Sequence, residues 1–328
     1  MRHIVFFVNR VAEITHRQTT ALLIASFIRR GYRVTVAEID GLSIQSAASE
    51  LMFRVRGLVC PMDCETSESI EQVAQKRSTF SHAEIDPKTL VMIRTNPGRD
   101  IERRELHQTF LNLAEIMSSR GIPVINAAAK LSYFASKSSL SLIDAKHRPA
   151  MLISNQRDEI CDFVTSAPVD CVVKPLIGSR GNDVIRVNQA TESLGEKLSA
   201  RFKGTTVVAQ HFVDAQHEGD RRVLVLDGQI LEKDGHVAGI ERHPAADDFR
   251  ANLHAGGTAH PFVLTQDERD AANHAASLLD AAGIRLAGVD LIGNQIIELN
   301  VFSTGGIYDA NRFAGIDFSE AIVDRFLD

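Results

Sequence analysis

The sharpest chemical spacing in the chain lies in Gly288-Val-Asp-Leu-Ile-Gly-Asn-Gln-Ile-Ile-Glu-Leu-Asn300. With Gly293-Asn294-Gln295 as a hairpin loop that uses a positive-φ residue, Ile292 pairs with Ile296, Leu291 with Ile297, and Asp290 with Glu298. Directly opposed residues share a face, and side chains repeat every two positions, so Asn300 joins Asp290 and Glu298. Leu291, Ile297 and Leu299 are then expected to point into a core. Opposed carboxylates repel unless a cation lies between them. Two carboxylates and an amide oxygen, with no thiolate or imidazole, suit Mg²⁺ held jointly with phosphates. The same spacing also fits a solvated hairpin face, with both acids in water.

Two other segments could handle anions. Gly178-Ser-Arg-Gly181 follows a strand ending in Lys174-Pro175. Small residues between strands let backbone N–H groups close over a phosphate, and Lys174 and Arg180 supply positive charge. The loop is neither a P-loop nor a dinucleotide fingerprint, and taken alone it fits a plain hairpin. Arg242, followed by Arg250-Ala-Asn-Leu-His-Ala-Gly-Gly257, fits an anion clamp under a mobile loop, or a surface loop with solvated Arg. Cys60 and Cys64 lack a second Cys or His pair at zinc-site spacing, and none of the twelve His falls in a zincin pattern.

The elements that must carry these residues alternate. Ile4–Val8 reads as a buried strand, Gln18–Arg30 as a helix closed at Gly31, and Tyr32–Ile39 as a strand. That β-α-β unit marks a parallel sheet. Leu90–Arg94 and Ile122–Ile125 read as further strands around a helix over Ile101–Ser119. Residues 1–125 therefore read as a doubly wound α/β domain, with the pattern over 42–87 left unassigned. The second half reads as antiparallel sheet plus helices. Cys171–Lys174 and Val184–Val187 are strands, and Asp227-Gly228 turns a hairpin over Arg222–Glu232. Thr265-Gln-Asp-Glu268 is a capping box opening a helix that Gly283 closes. Leu286–Asn300 is the chemical hairpin, and Asp317–Leu327 a final helix.

Composition narrows the function classes. The 328 residues make room for two or three domains at about 150 residues each. A net charge of −6 gives no whole-protein field for nucleic acid, and no partner of that kind is expected. Aromatics at 6%, with no Trp, make base-stacking platforms and sugar shelves poor readings. Four Cys are too few for a disulfide scaffold. The apolar start, Ile4–Val8, is too short for a signal-peptide core, and no run approaches a bilayer span. The expectation is a soluble, cytoplasmic protein with no membrane partner.

At this point the ordered motifs resemble a family. Lys174-Pro-Leu-x-Gly, Ala209-Gln210, Gly219-Asp-Arg-Arg-Val-Leu-Val-Leu-Asp-Gly228, Arg250-x-Asn-Leu-x-Ala-Gly-Gly257 and Gly288-Val-Asp-Leu-Ile-Gly…Glu298-Leu-Asn-Val301 look like prokaryotic glutathione synthetase, of the ATP-grasp superfamily. The resemblance covers most of 170–307, and is fainter before it, where Arg29-Arg-Gly-Tyr32, Ile125-Asn126 and Lys137 fit. Thr304 stands where the family often has Pro. The resemblance implies an α/β N-terminal domain followed by an α+β ATP-grasp fold of two lobes, with boundaries expected at 1–125, 126–203 and 204–328.

The resemblance also implies roles. Lys137, Lys174, Gly178, Ser179, Arg180 and Gly181 would contact ATP phosphates, Gln210 with His211, Phe212 and Val213 would hold adenine, and Asp220 would face the ribose. Arg222, Arg242 and Asn252 would face phosphate and acyl substrate, with Arg250, Gly256, Gly257 and Ser303 lining the substrate side. Asp290, Glu298 and Asn300 would hold Mg²⁺, with Mn²⁺ as a substitute. The implied reaction is ATP-dependent ligation of a peptide or amino acid donor to an amino acid acceptor, in a homodimer or homotetramer. Glutathione synthesis from γ-glutamylcysteine and glycine comes first. A ligase of the same build for another pair, and a non-catalytic nucleotide-binding protein, stay open.

Overall fold

The computed structural model describes residues 3–47, 50–76, 80–178, 184–215, 219–244 and 256–327. Its first sheet has the order β4-β3-β2-β1-β5-β6. The strands are β1 (His3–Val8), β2 (Arg33–Ala47), β3 (Glu50–Val59), β4 (Ser81–Ile85), β5 (Leu90–Ile93) and β6 (Val124–Ile125). β1 pairs in parallel with β2 and β5, and β5 in parallel with β6. Five successive apolar residues make β1 buried on both faces, as a central parallel strand must be. Val5 and Phe7 meet Phe110 of α3 (Arg104–Ser119). Ile4 and Phe6 meet Ile24 and Phe27 of α1 (Thr19–Arg29). Gly31 closes α1 at φ +78°, a conformation that costs glycine little.

The unassigned stretch completes this sheet. β2 runs past Ile39 to Ala47, because Leu42 and Ile44 go on alternating inward with exposed Ser43 and Gln45. A register shift between Ala37 and Leu42 bends it, and it then pairs antiparallel with β3, and β3 with β4. α2 (Ser67–Gln75) begins at a capping box formed by Thr66 and Ser69. The sheet is therefore mixed, where a doubly wound parallel sheet is the simpler expectation.

The second sheet is antiparallel throughout, in the order β7-β10-β8-β9. Its strands are β7 (Met151–Ser154), β8 (Cys171–Pro175), β9 (Ile185–Val187) and β10 (Val207–His211). One face buries Cys171, Val173, Val207 and Ala209 against α5 (Arg157–Ser166) and α6 (Leu194–Phe202). The alternate residues Val172, Lys174, Val208 and Gln210 take the other face. In the chain, α4 (Ala128–Ala135) and a 3-10 segment, Lys137–Leu142, follow β6 and precede β7.

The third sheet runs β16-β15-β11-β17-β18, with β12 pairing β11. Its strands are β11 (Asp220–Leu226), β12 (Gln229–Ile230), β15 (Gly239–His243), β16 (Thr258–His260), β17 (Leu286–Ile292) and β18 (Gln295–Asn300). β13 (Glu232–Lys233) and β14 (His236–Val237) form a small separate hairpin. Asp227 and Gly228 both take positive φ, 48° and 77°, the primed turn that the Asp-Gly pair predicts. The Thr265–Glu268 capping box opens α7 (Gln266–Asp280), whose Ala271, Ala275 and Leu279 cover Val223, Val225, Val289 and Leu291. α8 (Ile307–Ala314) and α9 (Phe318–Leu327) close the chain, with Phe318 and Ile322 packed into the α1 side of the first sheet.

One apolar core runs from β1 and α3 through α4 to the third sheet. Asn126 reinforces that join: Nδ2 donates to the carbonyls of Leu286 and Val301, both at 2.8 Å, and Oδ1 accepts from Leu286 N–H at 3.0 Å. We propose that the three sheets mark the units 1–125, 126–203 and 204–328, the first and third sharing this core.

Candidate active site

Strand period places six polar side chains on one face of the third sheet. Asp220 stands opposite Arg242, Arg222 opposite Asp290, and Asp290 opposite Glu298, with Asn300 two residues further along. The other face, with Val223, Val289 and Leu291, belongs to the core under α7. The hairpin turn is tighter than a three-residue loop. Ile292 pairs with Gln295, leaving Gly293 at φ +55° and Asn294 as the turn, and Leu291 pairs with Ile296. A bulge at Ile297 then restores Asp290 to Glu298. The bulge corrects one expectation. Ile296 takes the core position, and Ile297 joins a small cluster with Val213, Ala215 and Ile292.

Asp290 is 2% exposed and ligated by two guanidinium groups. Arg222 holds it through Nε at 2.8 Å and Nη2 at 2.7 Å, and Arg242 Nη2 lies 2.9 Å away. Burial drives the Asp290 carboxyl upward, and the charges of Arg222 and Arg242 more than reverse that, leaving it well below the usual carboxylate range. Asp220 shares Arg242, at 2.5 Å from Nη2. Burial pushes its carboxyl up to about 6, helped by the charge on Asp290 and opposed by Arg242. Asp220 is thus locked in an ion pair with Arg242.

Two lysines reach this face, Lys174 from β8 and Lys137 from the start of the 3-10 segment. Lys137 Nζ lies 3.1 Å from Glu298 Oε1 and donates to the Gly178 carbonyl at 3.3 Å. Its backbone N–H donates to Leu176 O at 2.9 Å, which fastens the segment to the end of β8. Lys174 Nζ reaches the Ile297 carbonyl at 3.5 Å. Burial, and then the charge of Lys137, pull its ammonium down to about 8. The bulge at Ile297 is what presents that carbonyl. The face bearing Lys174 and Gln210 is therefore turned toward the β17–β18 hairpin, and a cleft between two sheets results.

Three buried polar atoms of cleft residues have no hydrogen-bond partner among the described residues: Gln210 Oε1, Arg242 Nε and Asn300 Nδ2. Buried polar atoms are normally satisfied, so orphans gathered at one place point to a ligand that supplies their partners. Glu298 adds a half-exposed carboxylate and Asn300 a neighbouring amide. No cluster of three His, Cys, Asp or Glu that could hold a metal occurs among the described residues. The oxygen set at the cleft is two carboxylates and an amide, which fits a hard divalent cation that shares its remaining positions with phosphate.

Other expected site residues are placed differently. His211 alternates away from Gln210 and stacks on Phe163, 5.5 Å between ring centroids, on the helix side of the sheet. Its N–H donates to Ala150 O, and that of Phe212 to Asp170 O. The Arg186 guanidinium lies 3.9 Å over the Phe212 ring. Gly256 and Gly257 lead into β16, and Ser303 lies between β18 and α8. Ser179, Arg180, Gly181, Arg250 and Asn252 lie outside the described residues. The ion pairs of Asp290 and Asp220 escape sequence reasoning, because register alone brings β11, β15 and β17 together.

The sequence matches the family of the prokaryotic glutathione synthetase ATP-grasp domain over residues 140–315. The chain belongs to this family. Glutathione synthetase of Nitrosomonas europaea is 27% identical over 236 residues, 71% of this chain and 70% of that protein. Its counterpart in Neisseria meningitidis serogroup B is 25% identical over 330 residues, 99% of this chain and 98% of the relative. Among solved structures, ATP-grasp ligase PsnB complexed with a precursor variant, Mg and ADP superposes with a TM-score of 0.64 at 15% identity, over 98% of this chain and 97% of that one. D-cycloserine synthetase DcsG gives 0.62 at 17% identity, over 98% and 99%. These likenesses confirm the ATP-grasp fold. As a member of the family the chain is an ATP-dependent peptide ligase of the glutathione synthetase type.

Proposed function

We propose that the chain joins γ-glutamylcysteine to glycine at the cost of ATP, using the cleft between the second and third sheets. The observation that carries this reading is the reach of Lys137 to Glu298 and of Lys174 to the Ile297 carbonyl, on the hairpin that carries Asp290, with three orphaned polar atoms on cleft residues. Lys137 and Lys174 neutralise the phosphate chain, and Gln210, buried at the far end of β10, offers its free oxygen to the exocyclic amine of adenine. Asp290, Glu298 and Asn300 would hold a divalent cation, which supplies charge neutralisation for the phosphates. Arg222 and Arg242, already aligned by Asp290, face the transferred phosphoryl group and the acyl substrate.

The chemistry needs little covalent help. The donor carboxylate attacks the γ-phosphorus, the bond to ADP breaks, and an acyl phosphate forms. The acceptor amine then adds to the acyl carbon, loses a proton, and expels phosphate to leave the amide. Fixed cations and a closed cleft account for rate through orientation and electrostatic stabilisation. Water must be kept from the acyl phosphate, which suits a site between two facing sheets. A second reading, a different acid and amine pair on the same machinery, draws on Thr304, which stands buried beside the cleft where the family often has Pro.

ADP release with ATP, Mg²⁺ and a panel of donors and acceptors tests this. Turnover strongest with γ-glutamylcysteine plus glycine is expected; turnover confined to other pairs would sink the substrate assignment and keep the ligase. Light scattering tests the accompanying proposal that the protein forms a homodimer or homotetramer.

A further inference from the structure

Outside the cleft, the first sheet holds a buried cation with no carboxylate partner among the described residues. Arg94 follows β5 on the α1 side and is 6% exposed. Its Nη2 donates to the Thr304 carbonyl at 2.8 Å and its Nε to Thr20 Oγ1 at 3.3 Å. Both partners are neutral, and no ion pair to it occurs among the described residues. Burial alone pulls its guanidinium down to about 10. A buried charge is normally paired, because desolvation is expensive. Every other guanidinium buried to this extent among the described residues is Arg242, which has two carboxylates.

The surroundings of Arg94 share one electrostatic character. Thr19, in the first turn of α1, is 2% exposed and its Oγ1 has no partner among the described residues. α1 has no side-chain cap and no acid in its first turn. α8 starts after Gly305-Gly306 without a side-chain cap, and the space where a Gly305 side chain would begin holds no atom within 4 Å. Asp309 in the first turn of α8 is paired with Arg17 and Arg312. Uncapped helix starts favour anions through their free N–H groups. The place also lies where the strand order turns, with β2 on one side of β1 and β5 on the other, the crevice in which open α/β sheets bind ligands.

Thr304 connects this place to the cleft. A side chain at Gly288 would begin 2.2 Å from Thr304 Oγ1 and 3.5 Å from Arg222 Cδ, so Thr304 packs directly on β17 two residues before Asp290. Thr304 therefore stands between the two places, its carbonyl on Arg94 and its side chain against the strand that carries Asp290.

We propose that Arg94, with Thr19, Thr20 and the first turns of α1 and α8, grips a non-reacting carboxylate of a ligase substrate. This rests on the ligase reading of the cleft and adds to it a specificity-determining subsite. Two sources share that chemistry: the far carboxylate of the donor, and the carboxylate of the acceptor amino acid.

The test compares acid with amide on each side. ADP release is measured with γ-glutamylcysteine against its cysteine-retaining glutamyl α-carboxamide, and with glycine against glycinamide, in the native protein, Arg94→Met and Arg94→Lys. A charge-assisted contact of this kind corresponds to about 10- to 100-fold in KM. The native protein should prefer the acid by that factor on one side only, which identifies the source. Arg94→Met should abolish the preference with the KM for ATP within about twofold, and Arg94→Lys should restore part of it. Thermal-shift titration with the same four compounds runs in parallel, so that the subsite is tested even if no pair releases ADP, an outcome that would count against the ligase substrates alone. Equal preference for acid over amide in native and Arg94→Met, or no acid-specific binding in either assay, overturns the subsite. A merely structural arginine makes a further difference: Arg94→Met would then change kcat and the KM of ATP and of both ligase substrates together, whereas the subsite confines the change to the KM of one substrate.

Discussion

Replacing Asp290 by Asn separates the structural from the chemical work of the hairpin. Asp290 accepts from Arg222 Nε and Nη2 and from Arg242 Nη2 at 2.8, 2.7 and 2.9 Å, at 2% exposure. Asparagine keeps the shape, removes the charge, and turns an N–H₂ group toward guanidinium donors. Breaking one partner out of a buried pair destabilises by about 3–5 kcal/mol. An unfolding entropy of about 2.1 cal/mol/K per residue converts this, for 328 residues, into a fall of about 4–7 °C in Tm. Glu298 is the control. Its side chain is 35% exposed, with one ion pair to Lys137 at 3.1 Å. A pair that wet contributes about 0–1 kcal/mol, so Glu298→Gln should melt within about 1–2 °C of the native protein. Its turnover should nonetheless nearly vanish, because the oxygen charge facing the phosphates is gone. Differential scanning fluorimetry and ADP release on the same preparations decide the matter. An Asp290→Asn melting temperature within a degree of native would refute the buried ion cluster, and native turnover in Glu298→Gln would remove the metal assignment.

Three more outcomes follow from single contacts. Asn126→Ala strips three hydrogen bonds and leaves buried backbone groups of Leu286 and Val301 unpaired, so the urea midpoint should report a loss of about 3 kcal/mol or more; a loss under about 1 kcal/mol contradicts that join. Gly288→Ala puts a methyl 2.2 Å from Thr304 Oγ1, so stability and turnover should both fall, and adding Thr304→Ala should recover most of the loss. No recovery would place the strain elsewhere. Lys174, with its ammonium down at about 8 in the folded protein, binds fewer protons than the unfolded chain between that pH and its ordinary value of 10.5. Stability of the free protein should therefore rise with pH through this window. Affinity for a non-hydrolysable ATP analogue should fall through the same window, because phosphate needs the charged form, and Lys174→Arg should flatten that fall.

The pairing of Asp290 with Glu298 was legible because strand period is two, and because two different turns give the same answer. A three-residue loop without a bulge and a two-residue turn with one both set Asp290 opposite Glu298. They differ only in which isoleucine, 296 or 297, faces the core, and two identical side chains carry no signal to choose. The capping box at Thr265 and the turn at Asp227-Gly228 were equally legible, since both are local chemistry. The region over 42–87 was not, because β3 and β4 are held by antiparallel partners inside a sheet whose other pairings are parallel. Arg94 ends an apolar strand, and nothing local marks it as buried. What buries it is Thr304, brought from the far end of the chain by the third sheet. The lock between Asp220 and Arg242 is likewise a product of register between β11 and β15.

The contrast between the two arginine environments suggests a division of labour between rate and choice of substrate. Among the described residues of the cleft, Lys137 has Glu298, and Arg222 and Arg242 have Asp290, while Lys174 has the Ile297 carbonyl. Binding a triphosphate there exchanges one set of partners for another, and the exposed charge before and after differs little. That favours catalysis over tight ground-state binding, because the carboxylates compete with phosphate until charge builds up in the transition state. Arg94 has no carboxylate competitor among the described residues, so an anion that meets it gains the full interaction on binding. A fold that needs two substrates in order has reason to use both arrangements: a cleft whose arginines are already neutralised where bonds change, and an arginine paired only with neutral groups where a substrate is chosen. If that division holds, charge-neutral variants in the cleft will act mainly on kcat, and those at Arg94 mainly on the KM of a single substrate.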